Sequence, residues 1–400
     1  MAKSADNSIW LKMAQEAYSS STSYFDSNYR KKIEDAYRHA QNRHHAGSKY
    51  YKDLYKYRSR GFRPKTRSAI NQNLAKGMAA FFSNQDIVSV EPVDINNPEQ
   101  AASAMINKEL LNYRLTKTIP WYQICLGGLF DAQVTGVVCS YQYWLTESID
   151  DIEPVIDDEY GEPVIDEVGN PLFQRVQRII KDQPVIDLRP IENIRFSPSA
   201  SWIDPINTSP YLIDLLPMHV IEVEAKMSEL HKKTGEPKWK KYTREEMQRA
   251  TKRTYDTTES TRNANSEDPY TTNQSETLRG YDTVFIHRNF MRRGRKDFVF
   301  YTIGTELLLT DPAPIEDVYW HGERPYAFGV ALIEPHRVMP DAPVYLASEL
   351  QKETNEISNQ RRDNVKMVLN KRYFVRRGAQ VDLKSIIRNA PGSVTLMNDP

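Results

Sequence analysis

The 400 residues of this chain, 40% of them apolar, are enough for two or three domains with real cores, which excludes a chain disordered throughout. Lys plus Arg and Asp plus Glu balance at 53 each, so net charge predicts no global attraction to nucleic acid or anionic lipid, and any DNA contact has to be local. Cys125 and Cys139 are too few for a disulfide framework and are not spaced as zinc ligands, which fits a reducing compartment. The opening MAKSADNSIWLKMAQEAY lacks the apolar core of an export signal, and no apolar run reaches the roughly 18 residues of a membrane span.

Residues 8 to 60 read as helices, with Ile9, Trp10, Met13, Ala17 and Tyr18 at helical spacing. From Arg30 to Arg67 thirteen Lys or Arg face only Glu34, Asp35 and Asp53, and Tyr50, Tyr51, Tyr55 and Tyr57 interleave with them. Two readings stay open for this run: a solvated helix face packed on tyrosines, or a nucleic-acid site built on phosphate contacts and stacking. The helix after Pro64 places Ile70, Leu74, Met78 and Phe81 or Phe82 on one stripe. DIVSVEPV then reads as a short strand. A helix from Pro98 through Leu115 is expected to turn Ala101, Met105, Leu111 and Leu115 inward, and another spans about Trp121 to Gln133. Gly136 breaks the pattern, and VVCSYQYWL reads as a strand.

Residues 146 to 190 are acidic and contain Pro-Val-Ile-Asp three times, at 154–157, 163–166 and 184–187. The Asp-Glu-x-Gly turns between these apolar pairs predict β-hairpins, because the closing bidentate Glu of a calcium loop is absent. Strand-like segments continue through VIDLRPIENIRFSP and SPYLIDLLPM, followed by a short helix from about Val220 to Lys232. Residues 255 to 279 have almost no large apolar side chains and are expected to form a mobile loop. TVFIHRNFMRR, DFVFYTIG and TELLLTD predict three antiparallel strands turning at GRK and at Gly304. The last strong element is a helix from Val344 to Asn370. Leu346, Leu350, Thr354, Ile357, Arg361, Val365 and Val368 form one narrow, mixed stripe that cannot anchor a monomer core, so we expect neighbouring chains to bury it. Beyond it come a strand, a short helix and another strand.

No phosphate-binding Gly-rich loop, paired-His helix or Ser nucleophile elbow occurs. His39, His44 and His45 sit within the basic run and read as surface histidines rather than metal ligands. Asp214 with Glu236-Pro237-Lys238 is the nearest approach to a nuclease signature, and the proline interrupts the strand that would present it. No catalytic, metal or cofactor site is expected.

Three stretches together resemble portal proteins of tailed bacteriophages, most closely the podovirus type. The first is RSRGFRPKTRSAINQNLAKGMAAFFSNQDIVSVEPV with NKELLNYRLTKTIPWYQICLGGLFDAQVTGVVCSYQYWL. The second is NIRFSPSASWIDPINTSPYLIDLLPMHVIEVEAKM. The third and most specific is PDAPVYLASELQKETNEISNQRRDNVKMVLNKRYFVRRGAQVD, in which Gln351, Asn355, Arg361, Asp363, Asn364 and Asn370 occupy the polar positions of the pattern.

The resemblance implies an α+β fold: a mixed helical and β wing over residues 1–343, a first stem helix over 344–370, and the start of a clip over 371–400. The rest of the clip, the second stem helix, the tunnel loop and the crown are expected to be missing. It further implies a dodecameric ring of identical subunits at one capsid vertex of the virion, assembled in the host cytoplasm. Double-stranded DNA would occupy the channel; terminase, head-to-tail adaptor or tail proteins, and major capsid and scaffolding proteins would be its partners, with no membrane involved. Lys352, Glu353, Glu356, Arg361, Arg362 and Lys366 are the candidate channel or inter-subunit residues of the stem, expected together with Asp363 to give a near-neutral surface. Two other classes stay open: a head-to-tail adaptor or other virion ring protein, and a DNA-processing enzyme.

Overall fold

A computed structural model describes residues 2–84, 86–155, 171–230, 237–252 and 278–369. The architecture is mixed α+β with two antiparallel sheets. Helix α1 (Ala2–Phe25) passes through a π-helical turn (Asp26–Arg30) into α2 (Lys31–Ala40), and α3 (Lys65–Phe81), α4 (Pro98–Tyr113) and α5 (Trp121–Thr135) follow. Strands β1 (Val137–Pro154) and β2 (Phe173–Arg189) form a long hairpin, and β3 (Ile194–Phe196), helix α6 (Pro205–Thr208) and β4 (Tyr211–His219) come next. Helices α7 (Val220–Ser228) and α8 (Arg244–Lys252) precede β5 (Thr283–Arg293), β6 (Lys296–Ile303), β7 (Leu307–Leu308) and β8 (Ala313–Pro314). A short α9 (Ile315–Val318), strand β9 (Tyr326–Val330), α10 (Pro343–Leu346) and the long α11 (Ser348–Leu369) complete the order.

The larger sheet runs β3-β4-β5-β6-β7, with β8 on β6, and the smaller runs β2-β1-β9. The larger sheet is covered on both faces, because its strands are apolar at successive positions rather than alternating. One face carries Ile213, Leu215, Phe285, Met291 and Phe300 against Trp10, Ala14, Ala17 and Tyr18 of α1, whose steps of four, three and one put them on one helical stripe. The opposite face is shared. At one end Val284, Ile286 and Ile303 meet Val220, Val223 and Met227 of α7 and Met247 of α8. At the other, Leu212, Phe290 and Val299 join Ile33 and Tyr37 of α2 and Val137 and Tyr141 of β1.

Asp214 lies on that shared face with no exposure, and it joins the two sheets. The Tyr326 hydroxyl of β9 donates to its Oδ2 at 2.7 Å, while Arg288 of β5 and Arg189 of β2 each come within 3.8 Å of the same oxygen. The Arg288 guanidinium stacks over the Tyr141 ring, 4.0 Å from its centroid. The nearest approach to a nuclease carboxylate is therefore an inter-sheet anchor.

The turn glycines behave as read. Gly294 takes φ 69° in the two-residue β5–β6 turn. Gly136 ends α5 at φ 88°, and a Cβ there would stand 2.7 Å from the Pro340 carbonyl, so both backbone conformation and space demand glycine.

Four expectations need correction. Residues 8 to 60 are helical only to Ala40; short 3-10 turns at Lys49–Tyr51 and Asp53–Tyr55 follow, and then an extended segment. DIVSVEPV pairs with no strand among the described residues, and the Asn112 side chain of α4 takes its place, accepting from Ile87 N–H and Val88 N–H at 2.9 and 3.0 Å and donating to the Val88 carbonyl at 3.0 Å. In α4, Ala101, Met105 and Leu111 are exposed and only Ala104 is buried, since periodicity tells which residues share a face but not whether the same chain covers it. His39 and His44 are buried rather than on the surface. The third Pro-Val-Ile-Asp lies in β2, an edge strand where Pro184 forfeits no ladder bond; most of the first two, almost all of the 255–279 loop and the whole 371–400 segment lie outside the described residues.

Candidate functional site

Helix α11 is preceded by a break at Ala347, where the one expected helix divides into α10 and α11. At about 100° per residue, Gln351, Asn355, Asn359 and Asp363 step by four along one face. The three amides are buried, Asn355 to 1%. An extended strap, residues 59–64, lies along them and runs into the first turn of α3.

The fit has a metrical cause. Two residues of extended chain advance about 6.6 Å and four residues of helix about 6.0 Å, so Ser59, Gly61 and Arg63, two apart, meet Asp363, Asn359 and Asn355, four apart, and the last rung falls three residues on, at Thr66 in the first turn of α3. Ser59 N–H donates to Asp363 Oδ1 at 2.7 Å, Gly61 N–H to Asn359 Oδ1 at 2.9 Å, Arg63 N–H to Asn355 Oδ1 at 2.8 Å and Thr66 N–H to Gln351 Oε1 at 3.0 Å. The amides also give back: Asn359 Nδ2 donates to the Gly61 carbonyl at 2.9 Å and Gln351 Nε2 to the Arg63 carbonyl at 2.7 Å. The side chains of one helix thus act as the edge of a strand. Burial raises the Asp363 carboxyl, but hydrogen bonds from Ser59, with Lys366 and Arg58 nearby, outweigh it and hold the group below the usual carboxylate range.

Two histidines lie under this strap. His44 Nε2 is 3.3 Å from the Arg60 carbonyl, and the rings of both His39 and His44 pack against Phe62, at 5.9 and 5.2 Å. Burial, helped by the neighbouring Lys352, lowers His39 to about 4.

On its other side α11 exposes its apolar residues. Leu350 is 68% exposed, Ile357 58% and Val365 51%, with Leu346 and Val368 similar. The helix therefore inverts the usual amphipathic arrangement: its amides are inside and its hydrocarbon is outside. A covering partner for that stripe is not found among the described residues.

The structure divides the six candidate stem residues. Arg361, Arg362 and Lys366 line an open groove of about 710 Å³, together with Arg63 of the strap and Lys65 at the start of α3. Lys352 pairs with Glu349 at 2.7 Å and Glu356 with Lys49 at 2.5 Å, away from that groove, while Glu353 is exposed. Two residues of the basic run thus join the stem cations, which neither reading of that run had anticipated. The near-neutral balance holds for the helix as a whole but not for the groove, whose lining among the described residues contains no carboxylate.

Sequence reasoning picked out Gln351, Asn355 and Asp363 as polar pattern positions but missed Asn359 and the strap that they bind. The signal was available in the four-residue step of amide side chains on an otherwise charged helix. Among the described residues no helix is long and apolar enough to cross a membrane, and no group of His, Cys, Asp or Glu is placed to hold a metal ion.

A family model described as phage SU10 portal protein matches residues 10–400. No curated protein matches the chain.

Proposed function

We propose, from the premise that this chain belongs to the phage SU10 portal protein family, that it forms the ring through which double-stranded DNA enters and leaves the capsid. Portal proteins are structural components of the virion, not enzymes, and they work as oligomeric rings around DNA. The finer assignment is our reading. Twelve copies stand at one capsid vertex. Terminase docks there during packaging, and the head-to-tail adaptor or tail proteins dock afterwards, with major capsid and scaffolding proteins at the rim. Residues 1–343 are the wing, 344–370 the first stem helix and 371–400 the start of the clip.

The observation that carries this reading is the inverted helix. A 22-residue helix whose apolar side is open while its polar side is locked to its own chain is built to meet other copies. Lys352, Glu353, Glu356, Arg361, Arg362 and Lys366 then lie at the channel or between subunits.

A conduit must hold DNA without gripping it, because many phosphate contacts bring tight, steeply salt-dependent binding. Negative-stain images of the purified protein are expected to show rings with a central hole, and duplex DNA titrated at two salt concentrations is expected to bind weakly. Tight binding that falls by orders of magnitude with salt and disappears when Lys49, Lys52, Lys56 and Arg60 become Ala would contradict the passive conduit.

A further inference from the structure

The groove beside the strap joins two surface chemistries. Arg361, Arg362 and Lys366 descend one flank of α11, while Arg63 enters from the strap and Lys65 from the first turn of α3, along a path set by the amide ladder. Among the described residues, Arg63 alone of these five makes a side-chain bond across the groove, from Nε to Ser358 Oγ at 2.8 Å. The floor is apolar, with Ile357 and Val365 half or more exposed. A duplex backbone offers phosphates but nothing to cover exposed hydrocarbon. An occupant that does both carries carboxylates and branched apolar side chains in short alternation.

This chain contains such a segment. From Glu147 through Gln174 there are ten carboxylates and no Lys or Arg, and the segment twice spells Pro-Val-Ile-Asp. It is carried by the β1–β2 hairpin, whose outer half is exposed on both faces, Ile149, Ile152, Phe173 and Ile179 included. A two-stranded ribbon with apolar residues exposed on both faces is marginal in water by itself. Cross-strand pairs Lys181–Glu147 and Arg178–Asp151 offset only the two carboxylates nearest their strands.

We infer that the acidic Pro-Val-Ile-Asp segment of one copy docks in the basic, apolar-floored groove beside α11 of a neighbouring copy. Each copy then has one donor and one acceptor surface, different from each other, which is what a head-to-tail contact needs in order to close into a ring. The inference rests on the ring reading, yet its test reads the groove without any ring.

The test uses the full chain with Asp157, Asp158, Glu159, Glu162, Asp166 and Glu167 changed to Asn or Gln, which leaves the groove intact. A fluorescent peptide of residues 150–168 is titrated against it by anisotropy. Binding is expected, with at least tenfold loss in the added triple variant Arg361→Glu, Arg362→Glu, Lys366→Glu. Those three side chains are exposed, and melting curves matched to the parent establish that the fold survives; a triple alanine variant should give an intermediate loss. No peptide binding, or equal binding by the triple variant, overturns the proposal. So does a short duplex DNA that binds the groove and is not displaced by the peptide, which would make the groove a nucleic-acid site. Absence of rings from the unaltered protein, with peptide binding retained, would instead tell against the ring reading and leave the docking contact standing.

Discussion

The six-stranded sheet and the long helix are stabilised in opposite ways. The sheet buries hydrocarbon on both faces and encloses a charged cluster around Asp214 whose partners Arg288, Arg189 and Tyr326 lie in the same chain. The helix buries amides and leaves hydrocarbon outside. The sheet's two faces are covered within the chain, whereas the helix is held in place by its own strap and presents a stripe that no described residue covers. On the proposed reading, stability resides in the first region and assembly in the second.

The sharpest way to break this division is to compare one substitution in each region. Asp214→Ala leaves Arg288 buried without its carboxylate, so unfolding in urea should show a loss of about 3–5 kcal/mol. Leu350→Ala, on an exposed stripe, should change the stability of the isolated chain by no more than about 0.5 kcal/mol. A large loss at Leu350 in dilute, monomeric protein would mean that the stripe is part of the subunit's own core.

The ladder can be tested next. Asn355→Ala leaves the Arg63 N–H without its acceptor in a partly buried place, at a cost of about 1–2 kcal/mol. The four rungs share one strap, so Asn355→Ala combined with Asn359→Ala should be less than additive in the same urea experiment. Strict additivity would mean that the rungs act separately.

Acid should loosen the strap from beneath. His39 is held near 4 in the folded chain against about 6.5 when unfolded, so between those values the unfolded state binds the extra proton. Its contribution is full above about pH 6.5 and is lost as pH falls toward 4, on the order of 1–3 kcal/mol in all. Asp363 acts lower on the scale: its depressed carboxyl stabilises the fold above its ordinary value near 3.9 and stops doing so as pH falls further. Melting temperatures across pH 7 to 4 should decline, and His39→Asn should flatten that decline; an unchanged slope would remove His39 from the account. The smallest effect is expected at Gly61, where an added Cβ meets the mobile end of Arg362, so Gly61→Ala should cost less than about 1 kcal/mol.

What the sequence reveals follows the same division. Strands β5 and β6 and the end of α5 were legible because apolar spacing and the turn residues Gly136 and Gly294 point the same way. Helix α8 was missed although Thr243 and Glu246 form a capping box, with Thr243 N–H donating to Glu246 Oε2 at 2.9 Å; its polar residues masked a signal that was present. The strap, the Asn112 substitute for a strand partner and β9 could not be read locally, since each depends on a partner far along the chain. The buried histidines were misread for the same reason: their cover is Phe62, beyond any helical neighbour.

The most direct test of the central claim, that neighbouring copies cover the apolar stripe of α11, is an electron cryomicroscopy reconstruction of the assembled particle at side-chain resolution. It should show a ring in which Leu350, Ile357 and Val365 are buried against an adjacent copy while Gln351, Asn355 and Asn359 still hold the strap of their own chain. Rings in which those three apolar side chains face open solvent would contradict it.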